Sequence, residues 1–310
     1  MHCEVFGLYP YPFDYFRPNT LEEALVLAQG DGMKFLAGGQ SLVPLLNLHV
    51  AEIKGVVDLQ HVASALKFVQ SQQDRLRLGA LWTHDELSHS SLLGGRCPLF
   101  SQAAAFIGHP RIRRRGTLGG SIAHADPLAE WILVMTLLDP QLILASAKEE
   151  RQLPFHDYLL GPMMTALSDD ELITAVEISL PEKATYGFTE VSRRPGDYAL
   201  VATALSVGWD RDRIAQADIA ISGVSDVPRT FPSISRDMCQ EYPSHGLVEH
   251  IKHAVEAAVD PPSDVLAGAS YRRHLAGILV EKALHQAFDE MSNAGETAAK
   301  SIGKSEGERT

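Results

Sequence analysis

Two Gly-Gly pairs are the residues of this chain whose type and spacing indicate ligand chemistry. The first lies in Leu36-Ala37-Gly38-Gly39-Gln40-Ser41, and the second lies in Thr117-Leu118-Gly119-Gly120-Ser121. Glycine adopts positive φ readily and leaves no Cβ between the main chain and a ligand. Successive backbone N–H groups can then point toward one anion. Two such pairs, each followed within two residues by a serine, predict that a diphosphate-containing ligand is held from two sides.

The charge and hydropathy of the chain exclude several classes of function. The 310 residues carry a net charge of −12, whereas a nucleic-acid-binding surface is basic. Asp139-Pro140 interrupts the longest apolar stretch, so no run reaches the ~20 residues needed to cross a bilayer. The first residues also lack the pattern of a signal peptide. We therefore expect a cytoplasmic protein with no nucleic-acid partner and no membrane span.

The cysteines and histidines do not predict a metal site or a nucleophilic catalyst. Cys3, Cys97 and Cys239 are far apart, so the chain supplies neither a disulfide framework nor four thiolates for an iron–sulfur cluster. His84 and His89 have a spacing that does not place two ligands on one helical face. No Ser-His-Asp or Cys-His pattern accompanies them. We therefore expect no catalytic residue and no bound metal in this chain.

Capping signals and hydrophobic periodicity predict the elements that position the glycine pairs. Residues 20–23 and 83–86 form capping boxes at helix starts, and residues 33–36 predict a strand that runs into the first pair. Ser41 is expected to cap the next helical turn. Further strands are expected at 55–59, 66–69, 76–79, 142–145 and 172–180, and further helices at 98–107 and 128–138.

The C-terminal part follows a different pattern. Residues 186–192, 199–209 and 214–222 predict a three-stranded meander, and residues 247–259 and 270–291 predict helices. The Gly-, Ser-, Lys- and Glu-rich residues 292–310 predict a disordered tail. These patterns predict an α+β chain with a first domain of residues 1–180, subdivided at about 1–60 and 61–180, and a second domain of residues 184–291.

Four segments resemble the FAD-binding medium subunit of the molybdenum hydroxylases, the family of xanthine dehydrogenase and carbon monoxide dehydrogenase. They are residues 36–46 (LAGGQSLVPLL), 113–127 (RRRGTLGGSIAHADP), 193–200 (RRPGDYAL) and 261–275 (PPSDVLAGASYRRHL). Together they are far more specific than any single motif. The resemblance implies a two-subdomain FAD-binding domain of the PCMH type, followed by a C-terminal domain with a three-stranded antiparallel sheet and helices.

The resemblance also implies which residues bind FAD. Backbone N–H groups of both glycine motifs would hold the pyrophosphate, together with the hydroxyls of Ser41, Thr117 and Ser121. Asp126 would contact ribityl or ribose hydroxyls, and Tyr198 would lie over one face of the isoalloxazine ring. His124 either lines this site or has a structural role. The expected cofactor-binding residues are Ala37, Gly38, Gly39, Gln40, Ser41, Leu42, Thr117, Gly119, Gly120, Ser121, His124, Asp126 and Tyr198.

By the same resemblance, the chain is an electron-transfer subunit of an oxidoreductase. FAD would take electrons from [2Fe-2S] clusters on a small subunit, which a molybdopterin centre on a large subunit reduces, in a dimer of heterotrimers. The acceptor would be a small molecule or protein, such as NAD+, quinone, oxygen or a cytochrome. Two other functions stay open at this point: a stand-alone FAD-dependent oxidase or dehydrogenase, and a flavin-free scaffold.

A few positions depart from the family pattern. Asn47, Leu48 and His49 stand where the family commonly has Lys-Leu-Arg, and Val191 stands where Phe is frequent. The cysteine-rich insertion of the hydroxybenzoyl-CoA reductase relatives is absent. The basic run of residues 111–115 is compatible with three roles, namely steering of the diphosphate, binding of another subunit, or a solvated charged face.

Overall fold

The computed structural model describes the backbone of residues 9–307 and the side chains of residues 9–292. The helices in this part are α1 (Leu21–Leu27), α2 (Leu42–Asn47), α3 (His84–His89), α4 (Ser91–Arg96), α5 (Leu99–Phe106), α6 (Pro110–Arg113), α7 (Leu118–His124), α8 (Glu130–Leu138), α9 (Phe155–Tyr158), α10 (Pro232–Met238), α11 (His245–Ala258) and α12 (Ala269–Gly307). The strands are β1 (Asp14–Phe16), β2 (Met33–Leu36), β3 (Gly55–Asp58), β4 (Val69–Gln72), β5 (Arg75–Gly79), β6 (Gln141–Ala145), β7 (Glu150–Pro154), β8 (Leu159–Gly161), β9 (Met164–Thr165), β10 (Leu172–Ser179), β11 (Ala184–Ser192), β12 (Ala199–Asp210), β13 (Arg213–Ser222) and β14 (Arg229–Thr230).

The described residues form two compact units, and each unit is assembled from separate stretches of the chain. Within residues 9–307, the first unit comprises the residues up to Leu87, Ile107–Asp126 and Leu138–Ser179, and the second comprises Ser88–Phe106, Pro127–Leu137 and the residues from Leu180 onward. Two short stretches of the N-terminal half, which contain α5 and most of α8, therefore belong to the same unit as the C-terminal sheet.

A three-stranded parallel sheet opens the first unit. Its order is β1-β3-β2, and Leu36 at the end of β2 lies opposite Asp58 at the end of β3. Thr20 caps α1 by accepting a hydrogen bond from Glu23 N at 3.1 Å, as the capping box predicts. Because the carboxyl ends of parallel strands lie at one edge of a sheet, the first glycine pair leaves the sheet at that edge, directly after β2.

The second sheet of the first unit has five antiparallel strands in the order β4-β5-β10-β6-β7. The chain directly after β5 connects this sheet to α7, because Ala80 N donates to Thr174 O at 2.9 Å and Ala80 O accepts from Gly119 N at 2.8 Å. The second glycine pair is therefore fixed against the larger sheet. The two sheets match the two subdomains that the family resemblance implies.

An antiparallel sheet of order β11-β12-β13-β14 lies at the centre of the second unit. Its first three strands are the predicted meander, and β14 contributes only two residues. A Cβ at Gly187 would lie 2.2 Å from Ala283 O, so β11 and α12 pack main chain against main chain. The sheet and helices α10, α11 and α12 share one core, which includes Leu205, Val207, Ile219, Ile221, Ile251, Val255, Leu279 and Leu284.

Edge strands account for most of the differences from the sequence-based prediction of the first unit. β4 begins at Val69 rather than at residue 66, because Leu66 is buried in the preceding turn and its carbonyl accepts from Leu81 N at 2.9 Å. The rest of β4 is exposed and polar, as is much of β7, which was not predicted. A strand with little burial on either face lacks the period-two pattern that reveals a strand in a sequence.

The last helix is longer than its sequence pattern predicts. A helix end at residue 291 and a disordered tail of residues 292–310 were expected, whereas the backbone is helical from Ala269 to Gly307. Ala, Glu and Lys recur in this stretch, and they are strong helix formers even where no apolar periodicity marks a packed face. Residues 308–310 lie outside the described residues. Neither α12 nor another helix within residues 9–307 is both long enough and apolar enough to cross a membrane.

Candidate cofactor-binding site

The first glycine pair forms a loop between β2 and α2, and each glycine meets a different requirement. Gly38 packs on the main chain just before the second motif, since a Cβ there would lie 2.0 Å from Arg115 O. Gly39 has a φ of +71°, in the left-handed region that favours glycine. Neither position accepts a side chain without rearrangement of the loop.

The backbone donors of this loop have no acceptor within the described residues. The N–H groups of Gly38, Gly39, Gln40 and Ser41 make no hydrogen bond there. The prediction that Ser41 caps the next helical turn is wrong: its side chain makes no capping bond, because φ of −102° and ψ of −45° place it in the helical region rather than the extended one. Consecutive unpaired N–H groups next to a left-handed glycine can bind an anion.

The second glycine pair lies in the first turn of α7 and is not the loop that the sequence predicts. Neither glycine has a positive φ. Thr117 caps the helix by accepting from Gly120 N at 3.2 Å, and Ser121 N donates to Thr117 O at 3.0 Å. Gly119 N donates to Ala80 O at 2.8 Å. These donors already have acceptors, so the expectation that they hold the pyrophosphate does not match their geometry.

The two motifs meet at Ala37. A Cβ at Gly120 would lie 3.7 Å from the Ala37 Cβ, and Ala37 lines both of the cavities that flank the motifs. One cavity, of about 450 Å³, is also lined by Gly119, Gly120, Ala80, Met163 and Leu172. The other, of about 390 Å³, is lined by Ala37, Gly38, Gly39, Gln40, Gln60 and Arg115. Six of the predicted residues thus line the two cavities on either side of Ala37.

The other predicted residues are not among those that line these two cavities. Ser41 and Leu42 follow the first loop. Thr117, His124 and Asp126 lie at or near the ends of α7, and Ser121 lies in its middle. Ser121, His124 and Asp126 are half-buried, and Ala125 between the last two has a φ of 53° that ends the helix. Tyr198 belongs to the second unit, where it is 52% exposed in the loop between β11 and β12.

An ion pair holds the edge of the larger cavity. Arg151 Nε and Nη2 donate to the two carboxylate oxygens of Glu171 at 2.5 and 2.8 Å, and Nη2 also donates to Ala166 O at 2.9 Å. Glu171 accepts from Ser168 N at 2.8 Å as well. The Arg151 guanidinium and this N–H group lower the pKa of Glu171, so the cavity-lining segment before β10 is fixed by an ionised carboxylate.

Several cavity residues were missed by sequence reasoning. Lys34 lies within β2, Ala80 directly follows β5, Met163 directly precedes β9 and Leu172 begins β10, and these strands are far apart in the chain. Only the three-dimensional assembly of both sheets places them around one space. No local motif marks them.

The arginines of the basic run have different environments. Arg113 Nη1 donates to Ile107 O at 3.1 Å and to Gly108 O at 3.0 Å, and is therefore a structural residue. Arg115 is exposed and lines the cleft beside the first loop, with no ion-pair or hydrogen-bond partner for its side chain among residues 9–292.

Burial, and secondarily the charge of Arg113, lower the pKa of His84 to about 4, so this histidine is neutral at pH 7.

Among the residues whose side chains are described, no group of three or more His, Cys, Asp or Glu residues is arranged to hold a metal ion. Cys97 is buried and Cys239 is half-buried, and both are free thiols. Cys3 lies outside the described residues.

Comparison with protein families identifies both parts of the chain. Residues 11–181 match the FAD binding domain in molybdopterin dehydrogenase, and residues 186–287 match the CO dehydrogenase flavoprotein C-terminal domain. The chain belongs to the FAD-subunit family of the molybdopterin dehydrogenases. The N–H groups of residues 38–41, which have no acceptor among the described residues, fit the diphosphate of FAD.

Relatives of this FAD subunit match along most of its length. The glyceraldehyde dehydrogenase medium chain of Sulfolobus acidocaldarius is 31% identical, with 90% of this chain and 99% of that protein covered. Subunit alpha of the 6-hydroxypseudooxynicotine dehydrogenase complex of Paenarthrobacter nicotinovorans is 35% identical, with 90% and 96% covered. Such full-length matches favour a dehydrogenase subunit over the stand-alone oxidase and the flavin-free scaffold.

Solved structures share the fold. Quinoline 2-oxidoreductase from Pseudomonas putida 86 aligns with a TM-score of 0.85 at 28% identity, over 91% of this chain and 98% of that one. CO dehydrogenase from Oligotropha carboxidovorans aligns with a TM-score of 0.84 at 28% identity, over 90% and 99% of the two chains. The predicted α+β architecture and the family assignment are confirmed.

Proposed function

We propose that this FAD subunit holds the cofactor diphosphate on the loop of residues 38–41 and carries electrons between a partner subunit and an external acceptor. The observation that carries the proposal is a row of consecutive N–H groups beside the cation of Arg115, neither of which has a partner among the residues that the structure describes. Hydrogen bonds between backbone donors and a charged phosphate contribute roughly 1.5–3 kcal/mol each. The second motif then has a supporting role, because its capped helix holds Gly120 against Ala37.

The remaining contacts are assigned from the family resemblance. The hydroxyls of Ser41 and Ser121, which have no hydrogen-bond partner among the described residues, are available to phosphate oxygens. We assign Asp126 to ribityl or ribose hydroxyls and Tyr198 to one face of the isoalloxazine ring. The residues that we propose contact FAD are Ala37, Gly38, Gly39, Gln40, Ser41, Leu42, Ser121, His124, Asp126 and Tyr198, to which we add Arg115. Thr117, Gly119 and Gly120 belong to the same proposed site in the supporting role.

FAD, when bound, supplies the redox chemistry of this subunit, and the protein supplies binding, orientation and electrostatics. We propose that the electrons come from a small [2Fe-2S] subunit and a large molybdopterin subunit, in a cytoplasmic dimer of heterotrimers, and leave to a small-molecule acceptor. Relatives with 31%, 35% and 32% identity are named for glyceraldehyde, 6-hydroxypseudooxynicotine and caffeine. We therefore assign the choice of substrate to the large subunit.

We also propose that the functional domains follow the sequence division, with cofactor binding in residues 1–180 and a second domain of residues 184–291. The family matches at 11–181 and 186–287 support this division. The compact units differ from it at residues 88–106 and 127–137, which lie with the C-terminal sheet. Truncation at residue 181 should therefore expose the apolar surfaces of α5 and α8.

The decisive experiment is a titration of the FAD-free chain with FAD, followed by flavin fluorescence and the visible spectrum. We expect one FAD per chain, and we expect Arg115→Gln to weaken FAD binding by about tenfold at low salt. Arg114→Gln is the matched control, since Arg114 is exposed but does not line the cleft. The absence of FAD binding by the wild-type chain, alone and with its partner subunits, would refute the proposal.

The effect of salt gives a second measurement of the same contact. Screening weakens an exposed charge–charge contact, so the affinity of the wild-type chain should fall more steeply with salt than that of Arg115→Gln. Riboflavin has no phosphate and should bind equally to both. If Arg114→Gln and Arg115→Gln behave alike, the cleft beside the first loop is not the diphosphate site.

Assembly is tested by co-expression of the chain with candidate small and large subunits. The proposal predicts one complex on size-exclusion chromatography that contains iron, molybdenum and FAD, with substrate oxidation only when all three subunits are present. Substrate oxidation by the isolated chain would contradict it.

A further inference from the structure

The segment of residues 261–275 is the one family motif to which the proposed function gives no role. Within it, Arg272 is only 4% exposed although it carries a guanidinium group. A buried charge is costly unless it is paired and hydrogen-bonded. The partners of Arg272 therefore indicate what this segment does.

Arg272 joins three separate loops of the second unit. Its Nη2 donates to Asp264 Oδ2 at 2.7 Å, and its Nη1 donates to Leu200 O and, at 3.3 Å, to Gly223 O. One side chain thus connects the residue 261–268 segment to the start of β12 and to the turn after β13. The planar fork of a guanidinium can reach all three places at once, which the single ammonium of lysine cannot.

Asp264, like Arg272, is fixed by several hydrogen bonds. Its Oδ1 accepts from Leu266 N at 2.8 Å and from Ala267 N at 2.9 Å, and its own N–H donates to Ala267 O at 3.1 Å. The bond from Ala267 N, and then the bond from Arg272, lower the pKa of Asp264. The carboxylate is therefore ionised at neutral pH and fixed in position to receive Arg272.

The other end of this network is the base of the exposed loop that contains Tyr198. Leu200, whose carbonyl accepts from Arg272, is two residues beyond Tyr198. Gly223 packs on the same peptide: its φ is +77°, and a Cβ there would lie 2.0 Å from Leu200 O. The residues of the loop 193–198 are exposed apart from the half-buried Gly196, whereas the C-terminal base of the loop is fixed by Arg272 and by the close approach of Gly223.

We propose that Asp264 and Arg272 are positioning residues that hold the loop of residues 193–198 in the conformation that presents the Tyr198 ring to FAD. The inference rests on the proposed function for Tyr198. It gives the residue 261–275 segment a role in the cofactor site, through the loop rather than through contact with FAD. It also explains why the third and fourth motifs occur together in one chain.

The test uses Arg272→Lys and Asp264→Asn in the full FAD-loaded chain, beside Tyr198→Ala. The Asp264 side chain is 45% exposed, so Asp264→Asn should fold even if Arg272→Lys does not. Arg273→Lys is the matched control, because Arg273 also donates to a carbonyl, Val259 O at 3.2 Å, and to a carboxylate, Asp260 at 3.3 Å, away from the loop.

Two readouts separate positioning from general destabilisation. The first readout is the flavin absorption spectrum, together with the rate at which oxygen reoxidises the flavin. Both quantities should change in Arg272→Lys and in Asp264→Asn, in the same direction as in Tyr198→Ala. The second is trypsin cleavage after Arg193, which should accelerate at least about fivefold as the loop opens locally. Arg273→Lys should match the wild-type chain in both.

A double variant tests the route of the effect. If Arg272 acts through Tyr198, adding Arg272→Lys to Tyr198→Ala should not change the flavin spectrum further. Wild-type spectra and cleavage rates in both Arg272→Lys and Asp264→Asn would overturn the inference. An unchanged spectrum in Tyr198→Ala, with FAD still bound, would instead overturn the assignment of Tyr198 to the flavin, and the cleavage rates alone would then decide whether Arg272 holds the loop.

Discussion

The two Gly-Gly motifs have similar sequences but different backbones, and they use their hydrogen-bond donors differently. In the first motif, Gly39 has a φ of +71° and the N–H groups of residues 38–41 have no acceptor among the described residues. In the second motif, both glycines are helical and Gly119 and Gly120 donate to Ala80 and Thr117. The first motif leaves its N–H donors available for a ligand. The second motif uses its N–H donors in hydrogen bonds that hold α7 in place next to the first motif.

This difference shows that glycine pairs with similar sequences can be required for different physical reasons. Gly39 meets a conformational requirement, whereas Gly38 and Gly119 allow close packing, with would-be Cβ distances of 2.0 Å to Arg115 O and 2.5 Å to Ala80 Cβ. Unpaired donors are a third feature, and of the two motifs the first combines it with a positive φ, as judged on the described residues. The following variants test these requirements one by one.

Gly38→Ala should have the largest effect. The new Cβ would lie 2.0 Å from Arg115 O and 2.7 Å from Arg115 C, and main-chain atoms cannot move aside singly. We expect loss of bound FAD and a fall of about 3 kcal/mol in the free energy of unfolding, measured by FAD absorbance and urea titration. Gly94→Ala is the control, since no atom lies within 4 Å of a Cβ there. Normal FAD content in Gly38→Ala would show that the two motifs do not pack together.

Asparagine and valine substitutions distinguish the two motifs by conformation. Asn enters the left-handed region more readily than Val, so Gly39→Asn should be about 1–2 kcal/mol more stable than Gly39→Val. At Gly120 the obstacle is Thr117 Oγ1, 2.8 Å from a would-be Cβ, and φ is not positive. Gly120→Asn should therefore have no such advantage over Gly120→Val in thermal unfolding. The same preference for Asn at both sites would mean that the backbones are alike.

Local signals predicted much of the fold. The capping boxes at Thr20 and Thr83 mark the starts of α1 and α3, and apolar stretches separated by turn residues mark β11, β12 and β13. Thr117 was itself a readable signal for α7, because a threonine three residues before an available N–H is a typical N-cap. The glycine pair led to the prediction of a turn, whereas the N-cap residue Thr117 shows where the helix begins.

The cavity could not be predicted in the same way. Lys34, Ala80, Met163 and Leu172 converge only because two sheets pack together, and no short pattern encodes that convergence. The unpaired state of the residue 38–41 donors is likewise a property of their surroundings. The sequence therefore pointed to the loop that we propose binds the diphosphate, while the residues that shape the space around it required the three-dimensional structure.

His84, behind the second motif, should make the stability of the first unit sensitive to acid. A Cβ at Gly116 would lie 2.5 Å from His84 Nε2, and burial lowers the pKa of His84 from 6.5 to about 4. Because the folded-state pKa is below the unfolded one, the unfolded chain binds the proton first as pH falls. The stabilisation is complete above pH 6.5 and declines toward pH 4, by about 2 kcal/mol at pH 5.

Urea titrations at pH 7 and pH 5 measure this loss, which His84→Gln should largely remove. His156 is the control, because hydrogen bonding to Asp139 raises its pKa, a shift of the opposite sign. His156→Asn should therefore keep the loss of stability at pH 5. An equal pH dependence in the wild-type chain and in His84→Gln would show that His84 is protonated in the folded protein.

The smallest expected effects are those of removing the hydroxyls of Thr117 and Ser41, which should act on different quantities. Thr117→Ala removes a helix cap and should lower the stability of the FAD-free chain by about 1 kcal/mol. Ser41 makes no capping bond, so Ser41→Ala should leave that stability unchanged and instead weaken FAD binding by about tenfold. Urea unfolding without FAD and fluorescence titration with FAD measure the two quantities independently. If Ser41→Ala proves the destabilising variant, the first motif would also be a scaffold, and the available donors of residues 38–41 would no longer distinguish it as the binding loop.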